Sequence, residues 1–199
     1  GYSVEEGAAA QLRSSAGYAV GYPMLEAGLQ FSNFSMRNIF NKKAWRPLPM
    51  GDGQKLSLSV TTYGTQYITY SIAFTEPWLG GRKPNAFSAS FYQSFYGKYR
   101  DKSAADYGYF NMTGGTIGLG RRLTWPDDYF SLYQGINVKR YNLNNYQTAH
   151  LNVGDGNGKF NLISYNFVLS RNSVSQPIYP RNGSEFQLGL EITPPYSLF

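Results

Sequence analysis

The chain has 199 residues and a formal net charge of +6, with 17% aromatic residues, 22 glycines and no cysteine. Without cysteine it cannot form disulfides, a thiolate metal site or a cysteine nucleophile, and because its lysines and arginines occur singly or in pairs it lacks the basic stripe that nucleic-acid binding requires. No run of about 18 apolar residues could form a transmembrane helix, but a mean hydropathy of −0.41 is compatible with membrane strands, in which only every second residue is apolar.

Alternation of apolar and polar residues predicts nine β-strands. In QYITYSIAF, for example, Ile68, Tyr70, Ile72 and Phe74 lie on one face. Most of the segments reach ten residues or more, whereas a globular strand usually has about five or six. The predicted strands are, in chain order, QLRSSAGYAV, MLEAGLQFSNF, KLSLSV, QYITYSIAF, AFSASFYQSF, FNMTGGTIGLGRRL, YFSLYQGINVKRY, KFNLISYNFVLSRN and EFQLGLEI.

Turn signals separate these segments, and no linker or repeat divides the chain. Gly80-Gly81 and Pro126-Asp127-Asp128 mark two turns, and Arg181-Asn182-Gly183 predicts a tight hairpin. The longest connection covers residues 35–53. Its best helix-like stretch, SMRNIF, is too short to form a stable helix. The sequence therefore predicts an all-β protein.

The residues around the strands favour a membrane barrel over a secreted sandwich with a tyrosine-rich carbohydrate-binding face. The polar faces contain Ser, Thr, Gln, Asn, Gly and Tyr more than the charged residues of a soluble surface. Aromatic residues cluster at strand ends, where a membrane barrel places its girdles. We therefore predict membrane-interface anchors at Trp78, Tyr96, Trp125 and Tyr129.

No catalytic or metal-binding motif is recognisable. His150, the one histidine, lies in a polar loop without a partner motif. Asp155 begins a calcium-loop-like stretch, but its twelfth position is Asn166 where a bidentate glutamate is required. We expect a protein that is not an enzyme and that needs no cofactor and no metal.

The end of the chain does not have the sequence expected for the last strand of a bacterial barrel. Phe199 is terminal, but Pro194-Pro195 would remove two consecutive ladder donors. Nine strands is also an odd number, whereas bacterial single-chain barrels have an even one. We therefore expect the chain to be a piece of a longer barrel.

Three stretches resemble the BamA family of outer-membrane protein assembly factors. FTEPWLGGRKPNAFSASF is similar to a strand, turn and strand early in that barrel. PIYPRNGSEFQLGLEIT resembles its aromatic-Pro-x-x-Gly turn, here Tyr179, Pro180 and Gly183. NFSMRNIFNKKAWRPLPMGDGQKLSLSV is similar to the family's second turn in a lengthened form.

The resemblance implies a transmembrane antiparallel up-and-down β-barrel, of which this fragment would hold about nine of sixteen strands. Residues 1–7 would end the last periplasmic POTRA domain, and residues 8–199 would form the first part of the barrel. The loops near 21–23, 64–65, 98–109 and 143–157 would face outside, and the lengthened turn 35–53 would be a docking surface for periplasmic partners. The periplasmic turns would contain Trp45, Pro77, Gly80, Gly81, Tyr179, Pro180 and Gly183.

The resemblance also implies a function in the outer membrane of a Gram-negative bacterium. Nascent outer-membrane proteins would add their strands to the exposed edge of the first barrel strand, assisted by periplasmic or lipoprotein accessory subunits. The face of this strand that includes Leu12 and Tyr18 is smaller and less apolar than the faces of later strands, which suits either a weak seam or close packing against an inner element. A TamA-like or two-partner-secretion transporter, a passive porin and the soluble sandwich remain alternatives. The predicted template residues are Ala10, Gln11, Leu12, Arg13, Ser14, Ser15 and Ala16.

Overall fold

The computed structural model describes residues 10–19, 22–46, 48–81, 85–97, 107–146, 155–175 and 181–194. Nine antiparallel strands form one sheet in which the spatial order follows the sequence order, so the all-β, up-and-down prediction is confirmed. Each predicted segment coincides with a strand. The strands are β1 (Ala10–Ala19), β2 (Tyr22–Phe34), β3 (Gln54–Tyr63), β4 (Tyr67–Glu76), β5 (Asn85–Gly97), β6 (Tyr109–Arg122), β7 (Phe130–Asn144), β8 (Gly158–Asn172) and β9 (Glu185–Ile192).

The register carries one apolar face across the whole sheet. Leu29 pairs with Leu58, Leu58 with Ile72, and Ile72 with Phe91. Directly paired residues point to the same side of a sheet, so a continuous apolar surface results. One irregularity interrupts the β2–β3 ladder between Phe31 and Phe34, next to the long connection. We call the face that contains Ile72 the outer face and the opposite face the inner face.

The two faces differ in exposure in a way that shows which is convex. On the outer face, Phe91 is 50% exposed and Ile117 is 60% exposed. On the inner face, the much smaller side chains of Ser94 and Ser164 are 4% and 0% exposed. Small residues are buried where side chains converge, and large ones stay exposed where they diverge. The inner face is therefore concave and polar, and the outer face is convex and apolar.

Glycines in β6 let tyrosine rings lie against the sheet on the concave side. A Cβ at Gly114 would meet ring carbon Cε1 of Tyr92 at 2.6 Å, and a Cβ at Gly118 would meet Cε2 of Tyr133 at 2.6 Å. Both glycines therefore make room for a neighbouring aromatic ring, as glycines in strands do where another group approaches closely.

Helical structure in the described residues consists of two short 3₁₀ turns, Arg37–Phe40 and Lys42–Ala44. Neither has the length or the apolar character needed to cross a membrane. Both belong to the 35–53 connection, in agreement with the prediction that SMRNIF is too short for a stable helix. The predicted POTRA end at residues 1–7 and His150 lie outside the described residues.

Candidate functional site

The apolar belt of the outer face has the dimensions of a bilayer core. On β8 it runs from Ile163 to Leu169, with Asn161 above it and Arg171 below. Asn161 and Arg171 are ten residues apart, which corresponds to about 33 Å along a strand and to about 25 Å along the normal at a tilt of about 40°. Exposed apolar side chains over such a height suit contact with lipid acyl chains.

Three predicted interface anchors lie exposed at the same end of the sheet. Trp78 follows β4 and is 59% exposed, and the connection between β6 and β7 carries Trp125 at 81% and Tyr129 at 52%. Their position at the ends of membrane-crossing strands is the one that amphipathic rings favour. We call this the turn end of the sheet and the opposite one the loop end.

The first of these connections contains a turn at Gly80-Gly81, as its sequence predicted. The strand ladder of β4 stops at Glu76, directly before Pro77. Gly80 and Gly81 adopt φ values of +84° and +70°, which residues with a Cβ rarely do. The amide of Trp78 donates to Oε1 of Glu76 at 2.9 Å and so holds the start of the turn.

Tyr96 lies at the loop end, but on the inner face. It pairs with Tyr67, next to the inner-face pair of Thr69 and Ser94. Its ring contacts the rings of Tyr67 and Tyr146 at centroid distances of 6.0 and 5.6 Å. Alternation decides this placement, because Tyr96 is one residue from the outer-face Phe95. Its contacts are those of a packed inner side chain, and an anchor role stays a prediction for Trp78, Trp125 and Tyr129.

The loop end of the inner face carries a connected aromatic cluster that the sequence did not reveal. Tyr146, which is 7% exposed, packs edge-on against Tyr96 and stacks on Phe110 at 5.9 Å. Phe110 also stacks on Tyr141 at 5.9 Å. Burial raises the pKa of Tyr146 to about 12, and the nearby Tyr96 contributes in the same direction.

The first strand is paired along one edge only. All ten residues of β1 pair with β2, and within the described residues no strand pairs with its other edge. Every second residue of an edge strand turns its N–H and C=O groups away from its neighbour. The predicted template residues 10–16 therefore lie on an edge with free backbone groups. The last strand, β9, is likewise paired on one side only.

Side-chain packing on β1 is weak. Leu12 is 74% exposed on the outer face. Ser14 faces Ala27 of β2, a pair with little apolar area, and Ser15 donates a long 3.3 Å hydrogen bond to Glu26. Burial of apolar area is the main source of side-chain stabilisation between neighbours. Backbone pairing therefore contributes most of what holds β1 to β2.

The 35–53 connection is folded and not an open loop. Ser35, fully buried, donates from Oγ to Oδ2 of Asp52 at 2.5 Å and accepts from the amide of Asn38 at 3.1 Å. Trp45 donates from Nε1 to the carbonyl of Ile39 at 3.2 Å. These bonds hold the ring of Phe40 outward, where it is 96% exposed.

The connection between β8 and β9 is tied to the connection between β6 and β7 by Arg171. Its guanidinium donates to Asp127 at 2.9 Å and to the hydroxyls of Ser173 and Ser184. Gly183 lies beside this network with φ +108°. The sequence alone does not reveal this network because its members lie in three separate segments. The predicted turn residues Tyr179 and Pro180 lie outside the described residues.

Among the described residues, no group of three or more His, Asp or Glu side chains comes close enough to hold a metal ion.

Comparisons with known proteins give a family and a fold. Residues 50–198, well over half of the chain, match the Omp85 superfamily domain. The fold is similar to the crystal structure of BamA from Haemophilus ducreyi lacking POTRA domains 1–3, with a TM-score of 0.59 and 16% sequence identity. That likeness covers 94% of this chain but 34% of the BamA chain, so the present chain spans about a third of its length. No curated protein matches in sequence.

Proposed function

The chain belongs to the Omp85 superfamily and forms strands of an outer-membrane β-barrel, and we propose that its protein folds and inserts nascent outer-membrane proteins as the core subunit of an assembly machinery. The observation that carries this proposal is the pairing of β1 with β2, in which small or polar side chains face each other, as Ser14 faces Ala27. A bilayer offers no water to an unpaired strand edge, so each free backbone group there costs several kcal/mol.

The proposed mechanism is β-augmentation. A client strand pairs with the outward N–H and C=O groups of residues 10–16, in the way that β2 pairs with their inward groups. Pairing and burial supply the free energy, so the proposal involves no nucleotide, no metal and no catalytic side chain. Because backbone groups are the same in every client, this mode of recognition suits many different sequences.

We further propose that the turn end faces the periplasm of a Gram-negative cell and that accessory subunits dock there. The supporting observation is the folded 35–53 connection, which presents Met36, Ile39, Phe40 and Trp45 at 52%, 37%, 96% and 44% exposure. A rigid, exposed apolar surface of this kind is typical of a protein interaction site. In this orientation, the loop end faces the cell exterior.

Proline substitution in β1 tests the assembly function. Ser14 and Ser15 are neighbours, so one of them directs its N–H toward β2 and the other toward the free edge. We expect that at least one of Ser14→Pro and Ser15→Pro blocks assembly of other barrels while the variant itself stays inserted. The measurement combines porin levels after depletion of the wild-type protein with heat-modifiable gel migration of the variant. Ser14→Ala, which retains the N–H, is the matched control.

Normal porin levels with both proline variants would contradict the assembly function. Such an outcome would favour a protein-translocating relative of the TamA or two-partner-secretion type. The superfamily match is equally compatible with that alternative.

A further inference from the structure

Two cations lie side by side on the outer face at the loop end. Arg140 of β7 pairs with Asn161 of β8, and Asn142 pairs with Lys159. All four side chains therefore point outward, with the two cations on diagonal positions of adjacent strands. Arg140 and Lys159 are both exposed.

Among the described residues, these cations have no carboxylate partner. Arg171, at the turn end of the same face, is paired with Asp127 at 2.9 Å. Neither Arg140 nor Lys159 forms an ion pair with any residue that the structure describes. The outer face of the nine strands carries one carboxylate, Glu76, and it lies at the turn end. Within the described strands, this part of the outer face therefore carries cations and no carboxylate, and the adjacent amides add hydrogen-bond donors.

An apolar groove over β4 to β7 begins next to Arg140 on the outer face. Val138 precedes Arg140 on the outer face and pairs with Gly115, whose missing side chain opens the surface. The groove has a volume of about 530 Å³ and is lined by Ile72, Phe91, Gly115, Ile117, Ile136 and Val138, among others. The groove lies within the apolar belt, and the two cations lie just beyond the loop-end edge of that belt.

We propose that this place binds one phosphorylated lipid of the surrounding leaflet, with its phosphate held by Arg140, Lys159 and the amide of Asn161, and an acyl chain in the groove at Gly115. Arginine presents a planar fork that matches phosphate oxygens, and lysine adds a point charge. A free anion would use the cations but not the groove. The groove favours a lipid over a free anion. The absence of carboxylates beside the two cations, within the described residues, favours a negatively charged headgroup.

The inference rests on the membrane placement in the proposed function, and it makes no use of the β1 edge. The two can therefore fail separately. A variant that loses the lipid but assembles client barrels normally would leave the assembly function intact. A protein that retains the lipid but assembles no clients would leave the lipid site intact.

The test measures lipid binding to the purified full-length protein by native mass spectrometry. The probes are lipid A with its phosphates, and the same lipid after dephosphorylation. We expect the phosphorylated form to bind better to the wild-type protein. We also expect the Arg140→Gln, Lys159→Gln double variant to bind the phosphorylated lipid about 30-fold more weakly, and each single variant about 5-fold more weakly. Arg140→Lys should restore most of the affinity lost in Arg140→Gln.

Lys139→Gln is the matched control, because it removes the same charge from the adjacent residue, which points to the inner face. It should leave binding unchanged. Gly115→Leu should weaken both lipid forms by filling the groove; the space at Gly115 accommodates a Cβ, which would lie 3.5 Å from the carbonyl oxygen of Ser90. Heat-modifiable migration confirms that each variant is folded.

Three outcomes would overturn the proposal. One is equal binding of the two lipid forms to the wild-type protein. Another is unchanged binding to the folded Arg140→Gln, Lys159→Gln double variant. The third is displacement of the lipid by millimolar inorganic phosphate, which would assign the cations to a free anion.

Discussion

Arg171 donates a hydrogen bond from Nε to Oδ2 of Asp127 at 2.9 Å, across 44 residues of sequence. The same guanidinium lies 5.7 Å from the ring centroid of Tyr129 and 5.8 Å from that of Phe130. One side chain at the end of β8 therefore holds the connection that follows β6, and through Ser173 and Ser184 it also holds the connection that precedes β9.

Replacing Arg171 with alanine is expected to lower the free energy of unfolding by about 1–2 kcal/mol, since it removes hydrogen bonds to three groups and two cation–π contacts. The ion pair is partly exposed, with the two side chains 26% and 34% exposed. Solvent screening therefore limits its own share to about 0.5–1 kcal/mol. Urea unfolding in detergent, in a double-mutant cycle with Asp127→Ala, measures this share. Additive effects of the two single changes would contradict it.

A methyl group at Gly118 should be more costly than one at Gly120, although both glycines lie in β6. At Gly118 it would meet the ring of Tyr133, whereas at Gly120 the nearest atom is Cβ of Ala86 at 3.8 Å. We expect Gly118→Ala to destabilise the fold by about 1–3 kcal/mol because the ring must leave its place. Gly120→Ala should be close to neutral. Equal unfolding free energies for the two variants would argue against the ring contact.

Alkaline pH should destabilise the aromatic cluster at the loop end. The folded-state pKa of Tyr146 is raised from its ordinary value of 10.0 to about 12, first by burial. The folded state thus holds the proton more tightly than the unfolded state does. Stability is fully present below pH 10 and falls as the pH rises toward 12, by an amount on the order of 2 kcal/mol.

Urea midpoints between pH 9 and pH 12 measure this loss, and Tyr146→Phe is the control because it keeps the ring without the ionisable hydroxyl. The slope of stability against pH should become shallower in the variant. An unchanged slope would mean that Tyr146 does not contribute.

Substitution of the exposed Phe40 in the 35–53 connection should reduce partner binding without changing the stability of the protein. Its side chain is 96% exposed, so Phe40→Ser is expected to change the unfolding free energy by no more than about 0.5 kcal/mol. If accessory subunits dock on this surface, the same change should reduce their co-purification with the full-length protein. Leu79→Ser, on the neighbouring turn and 45% exposed, is the control. Equal recovery of partners from both variants would contradict the docking surface.

Strand positions followed from the sequence because alternation is a local property. EFQLGLEI predicted β9 residue for residue, and the same pattern identified the outer-face residues of β4 from Ile68 to Phe74. The turn at Gly80-Gly81 was equally predictable, since its positive φ angles require residues without a Cβ.

The placement of Tyr96 shows that aromatic clustering at strand ends does not by itself predict a membrane anchor. Aromatic residues near strand ends predict a lipid anchor, but Tyr96 belongs to the same alternating set as Ser94 and packs inward on Tyr146, 50 residues away. A clustered composition does not say which of two faces a ring occupies. Alternation along β5 assigns Tyr96 to the inner face, and the fold then brings it into contact with Tyr146.

By itself, the sequence determined that the chain is all-β, that its strands have one apolar and one polar face, and where most of them begin and end. The tertiary structure decided which face is convex, which residues of β1 and β2 face each other, and that Arg171 meets Asp127 while Arg140 and Lys159 have no carboxylate partner among the described residues. The physical reason is distance along the chain. Side-chain alternation depends on adjacent residues, whereas curvature, free edges and ion pairs depend on strands that the sheet brings together from positions dozens of residues apart.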